Sequence, residues 1–142
     1  MSSDNSLQKS KPHSLAAVRV GTDLVSVARI EKSIQRESFL KKVFHPNEIK
    51  QCSGKAHPAS SYAARFAAKE AFFKALGTGL YTEGMGPQDV WIENEDNGRP
   101  RLCLSPAAMA LLQALGTQVS TDVSLAHDAS MAIATVVFQI NP

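Results

Sequence analysis

Two carboxylates sit where local propensity would not put them. Asp23 lies in the apolar run LAAVRVGTDLVSV, whose strand character disfavours both it and Gly21. Glu70 lies in ARFAAKEAFFKALGTG, on the helix face it shares with Phe66 and Phe73, so the helix should partly shield it from water. A shielded carboxylate calls for a cationic partner, a metal or a raised pKa. Two carboxylates without a third protein ligand suit Mg²⁺, which typically keeps several waters and takes its remaining oxygens from a substrate phosphate. Each also has a plain structural reading. Glu70 and Lys74, four apart with the acid nearer the N-terminus, would form an ordinary ion pair, and Asp23 would cap the helix that follows it.

Other residues add to the inventory. Arg65 and Lys69 are also four apart, a like-charge pair that costs a few tenths of a kcal/mol unless an anion offsets it. The Gly77-Thr78-Gly79 segment lets backbone approach a ligand closely, or simply stops the helix. His127, beside Asp128 in SLAHD, sits just past a strand end, a place more often structural than catalytic. Arg29, Lys32 and Arg36 recur at helical spacing opposite the stripe Val27, Ile30 and Ile34, with Lys41, Lys42 and His45 nearby. Such a face is usually just solvated, but it also suits an acidic protein partner.

The elements that must hold these groups are readable. A strand over 15–27 places Val18, Val20, Thr22 and Leu24 on one face, and a short helix follows from Val27. Pro46 opens another helix, and 59–76 is the clearest helix, with Tyr62, Phe66 and Phe73 on one side and Gly77 as its C-cap. Val90–Glu93 and Arg101–Leu104 flank Asn97-Gly98 as a hairpin. Ser105-Pro106 starts a helix that should end near Gly116, and two strands close the chain around 119–126 and 132–140. The run MAIATVVFQI lacks polar alternation, which predicts burial on both faces and, in so small a domain, a second subunit to cover one of them. Mixed elements with antiparallel hairpins and segregated helices argue α+β, a mainly antiparallel sheet packed on helices. The expected organisation is a polar, mobile tail over 1–14 and one domain over 15–142.

Composition agrees with a single core. The chain has 142 residues, 44% hydrophobic and 20% charged, with a net charge of +2. No apolar run approaches the roughly 18–20 residues of a membrane span, and the polar start lacks the apolar segment of a secretory signal. The charge is too mild, and the 6% aromatic content too low, to announce a nucleic-acid binder. Cys52 and Cys103 fall in no zinc or disulfide spacing, which together with the absent signal reads as a cytoplasmic protein. On residues alone, a Mg²⁺-dependent phosphohydrolase or a small binding module stays open beside a group-transfer enzyme.

VGTDLVSVARIE and RFAAKEAFFKALGTG, in this order, resemble the holo-acyl-carrier-protein synthase family, the small phosphopantetheinyl transferases. The DNGRP turn, the SPAA helix start and the SLAHD segment extend the likeness to nearly all the chain from about Val18. The resemblance implies transfer of 4′-phosphopantetheine from coenzyme A to a serine of apo-acyl carrier protein, releasing adenosine 3′,5′-bisphosphate, in fatty acid biosynthesis. It implies Asp23 and Glu70 as magnesium ligands, Lys74 and His127 near the coenzyme A phosphates, and Gly77, Thr78 and Gly79 as backbone approaching the nucleotide. It further implies Arg29, with Lys32 and Arg36 beside it, as the carrier-protein docking face, and a homotrimer with sites between subunits. Glu70, or a metal-bound water, would accept the serine proton. Ala126 departs from the serine or threonine common in relatives, and the tail has no family counterpart.

Overall fold

The computed structural model describes residues 17–79 and 84–141. The proposed tail over 1–14 lies outside them. Strand β1 (Ala17–Ser26) leads into three short helices, α1 (Val27–Ser33), α2 (Glu37–Val43) and α3 (Pro46–Ser53), and then the long α4 (Pro58–Leu76). A 3₁₀ turn (Pro87–Asp89) precedes the hairpin β2 (Val90–Asn94) and β3 (Pro100–Leu104). Helix α5 (Pro106–Gln113) and the strands β4 (Gln118–His127) and β5 (Met131–Asn141) complete the chain. The expected α+β class holds. The main sheet is antiparallel in the order β1-β5-β4, and β2-β3 forms a separate two-stranded sheet.

Helix α4 runs across one face of the main sheet and is the axis of the core. Its alanines at 63, 64, 67, 68, 71 and 75 are all buried, and their small size lets strands and helices close in from several sides. Phe72 fills the space against the sheet, its ring 5.3 Å from that of Phe138 on β5. Truncating such a buried ring to alanine typically costs about 3–5 kcal/mol. The helix is therefore buried nearly all round. The one-sided aromatic stripe seen in the sequence is only part of its packed surface, since Phe72 is as buried as Tyr62 and Phe73.

Gly21 sets how close β1 comes. A Cβ there would lie 1.9 Å from the Ala71 carbonyl oxygen and 2.8 Å from the Ala75 nitrogen. Only a residue without a side chain lets the strand touch the helix backbone. The anomalous glycine of the sequence is thus explained by packing.

Three expectations change. Helix α1 stops at Ser33, so Arg36 is not on it; Arg36 instead opens the unexpected helix α2 and lies 5.6 Å above the Phe39 ring. The helix from Pro106 ends at Gln113, one turn early. Strand β5 is buried on one face only within the chain: Ala132, Ala134, Val136, Phe138 and Ile140 point inward while Ile133 and Gln139 are exposed. The other face of the sheet carries Val18, Val20 and Leu24, each 57–63% exposed, beside Ile133. Among the described residues no helix is long and apolar enough to cross a membrane. Cys52 is buried, which pushes its thiol up to about 11 and leaves it unreactive.

Candidate active site

The close approach at Gly21 fixes what its neighbour two residues on can reach. Asp23 points to the same face of β1 and meets α4 at Lys74, whose ammonium donates to Asp23 Oδ1 at 2.8 Å and to the Thr22 carbonyl at 3.1 Å. The Asp23 side chain is only 15% exposed and that of Lys74 is 53% exposed. The hydrogen bond to Asp23 holds the Lys74 pKa above its ordinary value. The i,i+4 ion pair offered by the sequence is replaced, because the lysine turns to Asp23 and not to Glu70. The helix cap imagined for Asp23 belongs to Ser26, whose hydroxyl accepts from the Arg29 N–H at 3.2 Å.

Glu70, half-buried beside this pair, makes no hydrogen bond or ion pair with any described residue. Burial first, and then the negative charge of Asp23, push its carboxyl above the usual range, while Lys74 and Arg29 oppose the shift. Two adjacent carboxylates, one short of donors, form the hard-oxygen set that a small divalent cation would relieve. No third His, Cys, Asp or Glu among the described residues joins them. Water and substrate oxygens would have to complete a magnesium shell, and on donor chemistry the pair fits that ion.

The segment after α4 is built as the sequence suggested. Gly77 caps the helix in the left-handed region (φ +91°), with its N–H shared between the Phe73 and Lys74 carbonyls. The Thr78 N–H also returns to Phe73 at 2.9 Å, while its hydroxyl oxygen is buried without a partner. A side chain at Gly79 would meet nothing within 4 Å. This is a helix C-terminus, whose partial negative charge disfavours phosphate, so Lys74 and Arg29 must supply the attraction for any anion there.

His127 lies apart from this cluster. It pairs with Ala132 at the end of β4, two strands from β1 and thus about 10 Å across the sheet. Its neighbour Asp128 does not orient it. The Asp128 carboxylate accepts the N–H groups of Ser130 and Met131, both at 2.8 Å, which holds its pKa low and shapes the β4–β5 turn. The Ser130 carbonyl in turn accepts from Val27 at the start of α1. His127 instead lines a cavity of about 220 Å³ with Lys55, Ser61, Arg65, Asn94 and Pro100.

Arg65 is the residue that the sequence reading did not assign. It is 3% exposed, donates to Gln51 Oε1 at 3.0 Å, and keeps a buried Nε without a partner. A guanidinium beside a lysine and a histidine on one cavity wall is a donor set whose chemistry would suit an anion. The signal for it was present in the like-charge pair Arg65 and Lys69. Lys69 finds its offsetting anion in Glu48, at 2.6 Å, while Arg65 forms no ion pair among the described residues and lines the cavity. On the helix Arg65 and Lys74 are nine residues apart, about 13 Å along the axis. One chain therefore presents two separated groups: a carboxylate–lysine cluster and a cavity lined by Lys55, Arg65 and His127. Arg29 and Lys32 are exposed on α1, and Arg36 is exposed just beyond it.

Comparison with known proteins gives these groups a context. The family model of the 4′-phosphopantetheinyl transferase superfamily matches residues 19–135, and the chain belongs to that superfamily. It is a phosphopantetheinyl transferase of the small, single-domain kind, similar over most of its length to holo-[acyl-carrier-protein] synthases. It is 46% identical to that of Syntrophus aciditrophicus over 84% of this chain and 93% of the relative. It is 43% identical to that of Geobacter sp. (strain M21) over 84% and 95%. Among solved structures, the Helicobacter pylori holo-[acyl-carrier-protein] synthase in complex with coenzyme A superposes with a TM-score of 0.71 at 37% identity, covering 84% of this chain and 98% of that one. An ACPS–CoA complex from Chronobacterium ammoniagenes gives 0.76 at 26% identity, covering 89% and 99%.

Proposed function

We propose that this chain moves the 4′-phosphopantetheine group from coenzyme A to a serine hydroxyl of an apo-acyl carrier protein. The bond between the two phosphates of the pyrophosphate breaks, the phosphopantetheinyl phosphorus bonds to the serine oxygen, and adenosine 3′,5′-bisphosphate leaves. The observation that carries the reading is the Asp23–Glu70 pair held against Lys74 by the close approach of β1 at Gly21. Asp23 and Glu70 would hold Mg²⁺, which when bound supplies charge stabilisation to the phosphate oxygens. Lys74 adds a fixed positive charge at the same place. Glu70, or a water held by the metal, would accept the serine proton. The backbone of Gly77, Thr78 and Gly79 would lie along the nucleotide.

The separation of the two groups supports an assembly. Asp23, Glu70 and Lys74 from one subunit and the His127–Arg65–Lys55 cavity of another would together accommodate the pyrophosphate and the 3′-phosphate of coenzyme A. The exposed Val18, Val20, Leu24 and Ile133 face is the surface that such contacts would cover, and a homotrimer with inter-subunit sites satisfies both demands. Arg29, Lys32 and Arg36 would steer the acidic carrier protein to the site. A cytoplasmic place in fatty acid biosynthesis follows from that partner. Incubating the protein with coenzyme A, Mg²⁺ and apo-carrier protein, then weighing the carrier, tests the reading. A gain of one phosphopantetheine mass that requires Mg²⁺ is expected, and an unmodified carrier would overturn it.

A further inference from the structure

The pair Lys69 and Glu48 is fully buried, and nothing in the transfer reaction uses it. Every polar hydrogen and every carboxylate oxygen in it has a partner. The Lys69 ammonium donates to Glu48 Oε1 at 2.6 Å, to the Val90 carbonyl at 2.5 Å and to the Pro87 carbonyl at 3.2 Å. Glu48 Oε1 also accepts the His45 N–H, and Glu48 Oε2 accepts the Ile92 N–H, each at 3.0 Å. Three stretches that are distant in sequence are joined here: α3, α4, and the 3₁₀ turn with the β2 that follows it.

Buried ion pairs of this kind are often no more stabilising than apolar residues of the same volume. What they add is direction, because each hydrogen bond fixes one element's register against another. Two of the elements fixed here, α4 and β2, wall the cavity, and α3 ends two residues before Lys55, which also lines it. Gln51, three residues beyond Glu48 on α3, is the side chain that receives Arg65. Asn94, two residues beyond Ile92 on β2, and Pro100 opposite it on β3 form the far wall. Arg65 itself stands one helical turn before Lys69.

We propose that Lys69 and Glu48 are positioning residues for coenzyme A: they hold α3 and the β2–β3 hairpin at the spacing from α4 that lets Arg65, Lys55 and His127 receive a phosphate. This rests on the reading of that cavity as the place where a coenzyme A phosphate binds. The charges themselves never touch the ligand.

The test is the double variant Glu48→Leu/Lys69→Met, which removes both charges together and leaves no uncompensated ion. Its melting temperature is expected to stay within a few degrees of wild type. Its KM for coenzyme A should rise about tenfold, the scale on which misplacing binding groups acts, while its KM for apo-carrier protein stays the same. Coenzyme A titration calorimetry should show the same loss. A double variant with wild-type affinity for coenzyme A overturns the inference alone; wild-type protein that does not bind coenzyme A overturns the underlying reading and the inference with it. Should the double variant not fold, Glu48→Gln serves in its place. Its amide keeps the volume but meets the Lys69 ammonium or the Ile92 N–H with a second donor. A raised KM for coenzyme A is expected there too, and an unchanged one overturns the proposal.

Discussion

Lys69 and Glu70 are consecutive on one helix, and the protein treats them in opposite ways. Lys69 is sealed from water, with three acceptors for its three protons. Burial still pushes its pKa down, with Glu48 pulling it back. Glu70 is half-buried, has no donor among the described residues, and faces another carboxylate. A charge whose partners are all internal is committed to structure. A charge that folding leaves short of partners is free to take one from outside, which in the proposed reaction would be a cation. The same contrast separates Arg65 from Lys69 one turn away, since Arg65 keeps one buried N–H unpaired.

The largest effect should fall on the unsatisfied side. Glu70→Gln or Asp23→Asn is expected to lower turnover by about a hundredfold or more, since metal charge stabilisation contributes several kcal/mol. The double variant should lose little beyond either single one, because the two act as a unit. Metal-free melting temperature should hold or rise in Glu70→Gln. If that variant is active and less stable, Glu70 belongs with Lys69 as structure and the contrast collapses.

Next comes the satisfied side. Lys69→Met alone strands the Glu48 carboxylate in the core, and urea unfolding should show a loss of about 3–5 kcal/mol. Lys74→Met, at the exposed partner of Asp23, should cost under about 1 kcal/mol in the same assay while reducing turnover. Equal stability losses would mean that the two lysines do the same work.

Gly21→Ala probes the joint between the two regions. Its methyl would meet the Ala71 carbonyl, so β1 must lift from α4, with a stability loss of about 1–3 kcal/mol. Asp23 would move with the strand, and activity should fall further than stability explains.

Smaller effects are expected at the rim. Replacing Arg29 and Lys32 by alanine should raise the KM for carrier protein a few-fold, the scale of exposed charge pairs. Salt near 0.5 M should erase the difference, because screening then acts within about 4–5 Å. An equal rise in KM for coenzyme A would instead point to damage in α1.

The smallest is a pH effect. Glu70 binds its proton more tightly in the folded protein than in the unfolded chain. Without metal, stability therefore falls as pH rises from the ordinary glutamate range through the raised value. Glu70→Gln should flatten that part of the stability curve, as followed by melting temperature between pH 4 and 7 in buffer with a chelator. An unchanged slope would assign the effect to another group.

Much of this was legible before any coordinates. Pro46, Ser105-Pro106 and Gly77 mark helix ends by local chemistry, and each does so in the fold. Asn97-Gly98 turns the hairpin through the positive φ of Gly98. Helix α2 was not legible, because ESFLKKV is too short and too polar for periodicity to register. Arg36 was misplaced for a related reason, since the stripe continues in sequence past the residue where α1 stops. The placement of Arg65 was not legible because its cavity is assembled from the loop after α3, α4, the hairpin and β4.

By itself the sequence determined several helix starts, the cap at Gly77, the α+β class and the family, since those rest on short-range chemistry and on motif spacing along the chain. It also marked Asp23 and Glu70 as carboxylates out of place. Only the tertiary structure decided who partners whom. Lys74 has Glu70 one turn away, yet bonds to Asp23, 51 residues distant, because β1 passes against α4 at Gly21 and brings that carboxylate within reach. Lys69 likewise finds Glu48 across 21 residues. Helical spacing proposes partners, but desolvation and close packing choose among them, and both depend on elements that meet only after the chain has folded.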